Sequence, residues 1–190
     1  PTAVIDDPQQ VLSPDDRARL ERDTARIDAP AVVTDFHYMV FKTNHDNVMD
    51  DVEELLRTEH PDLIDQSKGE NGRPRDGVLI VGVGLDPRQA FIYGGDDVTE
   101  ELLLDDDSHR EALLAAMKPA VKDGNIPSGL FRTANQAMDA DALAQYRVDD
   151  AEGDRTGAAI GLGMGGAVGA AAVGGGVVAV RSGRRKAIAQ

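Results

Sequence analysis

Carboxylates at the predicted ends of strands are the residues of this sequence most able to do chemistry. Asp6 and Asp7 follow a short apolar stretch, Asp76 precedes the longest β-branched run, and Asp96 follows a Gly-Gly pair. Ligands of α/β sheets bind outside the strand ends, and converging carboxylate oxygens suit a hard cation such as Ca²⁺ or Mg²⁺. We therefore predict Asp6, Asp7, Asp76 and Asp96 as candidate metal ligands. The same residues also fit the alternative of turn formers and helix caps on an acidic surface.

Nitrogen and sulfur ligands are not predicted from residue spacing. The sequence has no cysteine, which excludes disulfides and thiolate zinc sites. Its four histidines have no close pair at ligand spacing, so each is interpreted as a strand, loop or surface residue; they are His37, His45, His60 and His109. Serine-hydrolase, zinc-protease and phosphate-loop signatures are also missing from the sequence.

The predicted sheet is organised around the segment from Asp76 to Gly95. Two apolar runs are separated by Asp86-Pro87, a pair that favours a turn, so the segment predicts a β-hairpin. The first run is apolar on both faces. A strand of that kind must be covered on both sides, which predicts a central strand packed between helices.

The remaining elements alternate between strand and helix. Predicted strands are Thr2–Ile5 and Ala31–Phe41, and predicted helices are Pro14–Ile27, Asp46–Glu59, one after Asp105–Ser108, and Ile126–Tyr146. A polar loop, Lys68–Arg75, leads into the hairpin. This order predicts an α/β fold: a three-layer sandwich of a small central mixed sheet flanked by helices.

The C-terminal region differs in kind from the rest of the chain. Every Asp and Glu precedes residue 157, and residues 157–180 carry no charge and are mostly Gly, Ala and Val. A helix over residues 157–180 would be ~36 Å long, enough for a hydrocarbon core of roughly 30 Å. Basic residues between 181 and 186 follow it, and the positive-inside rule places them in the cytoplasm.

These features predict a single-pass membrane protein. The predicted parts are an extracytoplasmic domain at residues 1–148, an acidic linker at 149–156, a transmembrane helix at 157–180 and a cytoplasmic tail at 181–190. With a formal net charge of −14, the chain is expected to repel nucleic acid. A secretory signal would precede Pro1 and lie outside this sequence.

The glycine-rich segment at residues 157–180 has two other interpretations. A flexible linker fits its many glycines, but a solvated linker normally carries Ser, Thr or charged residues. A dinucleotide-binding fingerprint also matches, yet no strand precedes it, so we predict no organic cofactor. Small residues at four-residue steps favour self-association of the span, and they are Gly157, Gly161, Gly165 and Gly169.

Several short motifs resemble the TPM-domain family. They are Ile5-Asp6-Asp7 with Val11-Leu12-Ser13, the strand Val32–Phe41, Asp76-Gly77-Val78-Leu79-Ile80, and the closing Gly94-Gly95. The resemblance covers roughly residues 3 to 140. It implies an extracytoplasmic α/β domain tethered to a bacterial or thylakoid membrane, with a divalent-cation site near Asp6, Asp7 and Asp76. The loop before the hairpin and the Gly94-Gly95-Asp96 end depart from the family pattern.

Two functions of different class follow. The first is a non-enzymatic, membrane-anchored module of the cell envelope that binds a partner protein and carries a structural divalent cation. The alternative is a metal-dependent acid phosphatase, as the resemblance implies for some family members. That reaction needs positive charge to hold the phosphate, for which Arg73, Arg75 and Arg88 are candidates. The sequence names no general base or nucleophile.

Overall fold

The computed structural model describes residues 1–68 and 73–149. Four strands form one sheet: β1 (Ala3–Asp6), β2 (Asp35–Phe41), β3 (Val78–Leu85) and β4 (Arg88–Gly94). The labelled α-helices are α1 (Pro14–Thr24), α2 (Val48–Glu59), α3 (Asp96–Glu101), α4 (Asp107–Ala115), α5 (Met117–Lys122) and α6 (Ile126–Ala137). Residues 140–149 are also helical. Short 3₁₀ turns occupy Pro61–Leu63 and Gln66–Lys68.

The sheet is mixed, as predicted. Its strand order is β1-β2-β3-β4, in which the first three strands run parallel and β4 runs antiparallel to β3. Asp6 lies opposite Met39 of β2, and Met39 lies opposite Gly82 of β3. The predicted hairpin is confirmed, and β3 is an interior strand.

Helices cover both faces of the sheet, which confirms the α/β sandwich. Alternate residues of β2 and β3 face opposite layers because strand side chains alternate. One face packs on α2 through Val48, Val52 and Leu56. The other face packs on helices that include α1, α4, α5 and α6, and its core contains Leu20, Leu113, Met117 and Leu130 among others.

Local sequence signals explain how the elements begin. Ser13 caps α1 by accepting a hydrogen bond from the Asp16 backbone N–H, and Pro14 occupies the first turn. Helix α2 begins after Asn47, whose side chain accepts from the Met49 N–H. Both caps lie beside apolar positions that face the core, so cap and core pattern specify the same helix.

The structure corrects several predicted boundaries. Strand β2 begins at Asp35 instead of Ala31, since the Val33 N–H turns back to the Pro30 carbonyl. The helix predicted from Ile126 to Tyr146 stops at Ala137, and a second one begins at 140, where Asp139 accepts from the N–H groups of the next turn. Helix α3 is additional to the prediction, and the helix predicted after Asp105–Ser108, which was to carry Met117 and end before Gly124, is divided at Ala116 into α4 and α5.

The predicted membrane-spanning segment falls outside the described part of the chain. So do the cytoplasmic tail, the four glycines of the self-association motif and nearly all of the predicted linker. Within residues 1–68 and 73–149, no helix combines the length and apolar character needed to cross a membrane.

Candidate metal centre

Three side chains meet on the α2-covered face of the sheet, at its β1 edge. Asp6 is the last residue of β1, His37 is the third residue of β2, and His60 caps the C-terminus of α2. Parallel pairing places Val4 opposite His37, so Asp6 lies two residues further along on the same face as Val4. Helix α2 then runs back over this face of the sheet, and His60 at its C-terminal end lies beside Asp6.

Hydrogen bonds join the three side chains. His37 Nδ1 lies 2.8 Å from Asp6 Oδ2, and His60 Nε2 lies 2.7 Å from Asp6 Oδ1. The two imidazole rings meet edge to face with centroids 4.9 Å apart. Each carboxylate oxygen of Asp6 therefore has its own histidine partner.

Burial makes these contacts electrostatically significant. The side chains of Asp6, His37 and His60 are 13%, 5% and 22% exposed. Burial alone would raise the pKa of Asp6, but its hydrogen bonds and electrostatic interactions with His37 and His60 outweigh that effect and hold the pKa below its usual range. Asp6 is therefore an anionic acceptor at neutral pH, and each histidine donates to it.

The cluster has the composition and compactness of a metal-binding triad. One ligand atom from each residue lies within 4.8 Å of the other two. A tetrahedral ion with bonds of about 2.0–2.1 Å holds its ligand atoms roughly 3.3 Å apart, so modest side-chain shifts would complete such a site. Partial exposure of His60 leaves one side open to solvent.

The other predicted ligands lie elsewhere. Asp7 accepts hydrogen bonds from the backbone N–H groups of Val11 and Leu12, both at 2.8 Å, and so orders the loop before α1. Asp76 is exposed at the opposite end of the sheet. Gly82 of β3 is level with Asp6, because both residues lie opposite Met39 of β2. Asp76 precedes Gly82 by six residues, so it lies roughly 20 Å from Asp6 along the strand direction.

Asp96 and its neighbour also serve local contacts. The Asp96 carboxylate is 59% exposed and pairs with Lys68 and with Arg73, the latter at 3.9 Å. Asp97 accepts the Gly77 N–H at 2.8 Å and so ties α3 to the start of β3. Of the four carboxylates predicted as ligands, the structure brings only Asp6 into a cluster with other ligand-type side chains within the described residues.

The structure brings together His37 and His60, two residues that the sequence pattern indicates only as separate strand, loop or surface positions. Their separation in sequence hides them, because β1, β2 and the end of α2 meet only in the folded sheet. One signal was available: His37 interrupts the apolar face that Met39 and Phe41 continue on β2. The other two histidines stay separate, since His45 is exposed and bonded to Asp51, and His109 lies buried on α4 against Tyr146.

Comparison of the sequence with protein-family models found no match, and comparison with curated proteins found none.

Proposed function

We propose that this chain is a membrane-tethered extracytoplasmic domain that binds a divalent transition-metal ion through Asp6, His37 and His60. The observation that carries the proposal is the convergence of two imidazoles and one carboxylate within 4.8 Å. Two histidines and one acidic residue are the protein ligands of several zinc and non-haem iron sites. The three residues belong to β1, β2 and the end of α2, so a bound ion would link three separate elements of the fold.

The nitrogen donors decide which cation fits. Ca²⁺ and Mg²⁺ prefer oxygen ligands, and the cluster supplies one carboxylate. Imidazole suits Zn²⁺, Fe²⁺, Ni²⁺ and Cu²⁺. A site built from Asp6, His37 and His60 therefore favours a transition ion over the Ca²⁺ or Mg²⁺ expected from carboxylates alone. Binding requires that the nitrogens now facing Asp6 give up their protons, so that each neutral ring carries its proton on its other nitrogen.

Metal binding is tested by calorimetric titration of the full chain, purified in mild detergent, with Zn²⁺, Ca²⁺ and Mg²⁺ in turn. We expect one Zn²⁺ per chain and no saturation by Ca²⁺ or Mg²⁺ at concentrations 100-fold higher. A triad that is only hydrogen-bonded would give no saturable heat with any of the three ions.

The membrane part of the proposal rests on the uncharged segment 157–180 and the basic residues after it. Because the chain has no cysteine, single cysteines report topology cleanly. In intact bacterial cells, a membrane-impermeant maleimide is expected to label Ser67→Cys and not Ser182→Cys. Equal labelling of the two variants, or recovery of the chain without membranes, would reject the proposed orientation.

An unidentified envelope protein is the proposed partner, and the resemblance to TPM domains supports a role in assembling membrane complexes. The glycine face of the span, Gly157 to Gly169, is the proposed self-association surface. The four-stranded mixed sheet with helices on both faces is compatible with the sandwich that the resemblance implies.

A metal-dependent phosphatase is the second candidate, because three protein ligands leave a coordination position that water can occupy. Its phosphate-holding arginines are less suited to that task than the sequence implied. Arg73 pairs with Asp96, and Arg75 pairs with Asp35 at 2.9 Å. Assay of a generic phosphate ester on the zinc-loaded sample separates the candidates, since the binding module is expected to release no phosphate above the Asp6→Asn background.

A further inference from the structure

One arginine connects the two chain segments that carry the histidines. Arg75 Nε donates to the Asp62 backbone carbonyl at 3.0 Å, and Arg75 Nη2 donates to Asp35 Oδ2 at 2.9 Å. The third nitrogen, Nη1, donates to the Asp76 carbonyl at 3.1 Å. The backbone N–H of Arg75 also donates to the Leu63 carbonyl at 2.8 Å. Arg75 is therefore fixed at both its backbone and its side chain.

Asp62 and Asp35, which both accept hydrogen bonds from the Arg75 side chain, lie close in sequence to the two histidine ligands. Asp62 comes two residues after His60, and Asp35 comes two residues before His37. Because strand side chains alternate, Asp35 and His37 project from the same face of β2. The Asp35 carboxylate also accepts a hydrogen bond from Thr34 Oγ1 at 2.9 Å, so it is bonded both to its chain neighbour and to Arg75.

His60 depends on its neighbours for its orientation. It leaves α2 with φ −133° and ψ 53°, outside helical geometry, so the helix alone does not fix its backbone. The 3₁₀ turn at Pro61–Leu63 comes next, and Arg75 bonds to two carbonyls of that turn. Moving the turn relative to β2 would move His60 relative to His37.

We propose that Arg75 is a positioning residue for the metal centre, which sets the separation of His37 and His60 through the Asp62 carbonyl and the Asp35 carboxylate. The inference rests on the proposed metal binding. Arginine suits this role because its rigid fork of donors serves several acceptors at once, whereas lysine is a flexible point charge. A partner in this position is expected to act as the outer-shell groups of metal sites do, through ligand orientation.

Loss of the Arg75 charge and loss of the Arg75 hydrogen bonds are expected to change the metal affinity in opposite directions. A cation close to a metal site repels the metal, so loss of its charge alone would tighten binding. Loss of the link between β2 and the 3₁₀ turn would weaken binding by about tenfold or more, as with other outer-shell substitutions. The sign of the change therefore separates the two effects.

The test is a Co²⁺ titration of the full chain in detergent, followed by visible absorption, with Arg75→Gln, Arg75→Lys and the control Arg132→Gln. Arg132 is exposed on α6, on the opposite side of the sheet from α2. We expect Arg75→Gln to weaken Co²⁺ binding at least about tenfold and to change the position or intensity of the d–d bands. Arg132→Gln should leave both unchanged.

Arg75→Lys keeps the charge and serves if Arg75→Gln does not fold. It is expected to weaken Co²⁺ binding and alter the d–d spectrum, since one ammonium cannot span the same acceptors. Wild-type affinity with a wild-type spectrum in folded Arg75→Gln or Arg75→Lys would overturn the positioning role and leave the metal site intact. Absence of any Co²⁺ binding by the unsubstituted chain would instead reject the proposed function.

Discussion

Asp6→Asn is expected to lower the Zn²⁺ affinity of the chain by more than about 100-fold, since loss of a ligand should exceed the 10–100-fold effect of outer-shell substitutions. Asn preserves the shape of the side chain but removes the charge that both histidines face. Calorimetric titration of the full chain measures the effect directly. Circular dichroism on the same sample checks that the sheet is retained.

The neighbouring aspartates provide matched controls for this substitution. Asp7→Asn should keep Zn²⁺ affinity within a few-fold and reduce stability instead, because Asp7 accepts two backbone N–H groups of the loop before α1. Asp76→Asn should change neither quantity, since the side chain is exposed at the far end of the sheet. If Asp7→Asn or Asp76→Asn weakened binding as much as Asp6→Asn, the ligands would be the carboxylate set predicted from sequence and not the triad.

Gly82→Ala is expected to lower the free energy of unfolding by about 3 kcal/mol, at the upper end of what overpacking of a core commonly costs. Gly82 lies in β3 between Met39 of β2 and Phe91 of β4. A Cβ at this position would lie 2.2 Å from Phe91 Cζ and 2.4 Å from the Met39 carbonyl oxygen. Urea denaturation followed by circular dichroism measures the loss.

A second substitution separates the two contacts at Gly82. Phe91→Leu removes the outer ring atoms that meet the new methyl group but leaves the Met39 carbonyl in place. The double variant Gly82→Ala/Phe91→Leu should therefore recover only part of the loss, measured relative to Phe91→Leu alone. A Gly82→Ala variant as stable as the unsubstituted chain would mean that β2 and β4 do not approach β3 as closely as described.

Much of the fold could be predicted because its signals are local. The β3–β4 hairpin follows from two apolar runs around Asp86-Pro87, and α1 follows from Ser13 and Pro14 at its start. The boundaries that were missed depend on other segments. Strand β2 begins where the Thr34 and Asp35 N–H groups meet the Gly77 carbonyl, and no pattern within residues 31–41 contains that information.

The candidate site was predictable only in part. Asp6 carries a local signal as a carboxylate at the end of an apolar strand. Its partners His37 and His60 are 31 and 54 residues away, and they reach it only through the β1–β2 pairing and the length of α2. Asp76 was grouped with Asp6 because both flank strands. In parallel strands, however, the residue after one strand and the residue before another lie at opposite ends of the sheet.

The most direct test of the metal centre is X-ray absorption at the zinc edge on the full chain loaded with one equivalent of Zn²⁺. Two imidazole ligands give a multiple-scattering pattern beyond the first shell, and Zn–N and Zn–O distances of about 2.0–2.2 Å are expected. The proposed site predicts two histidines and at least one oxygen, with the histidine signal reduced in His60→Ala. A first shell of oxygen alone, or an unchanged signal in His60→Ala, would contradict a centre built from Asp6, His37 and His60.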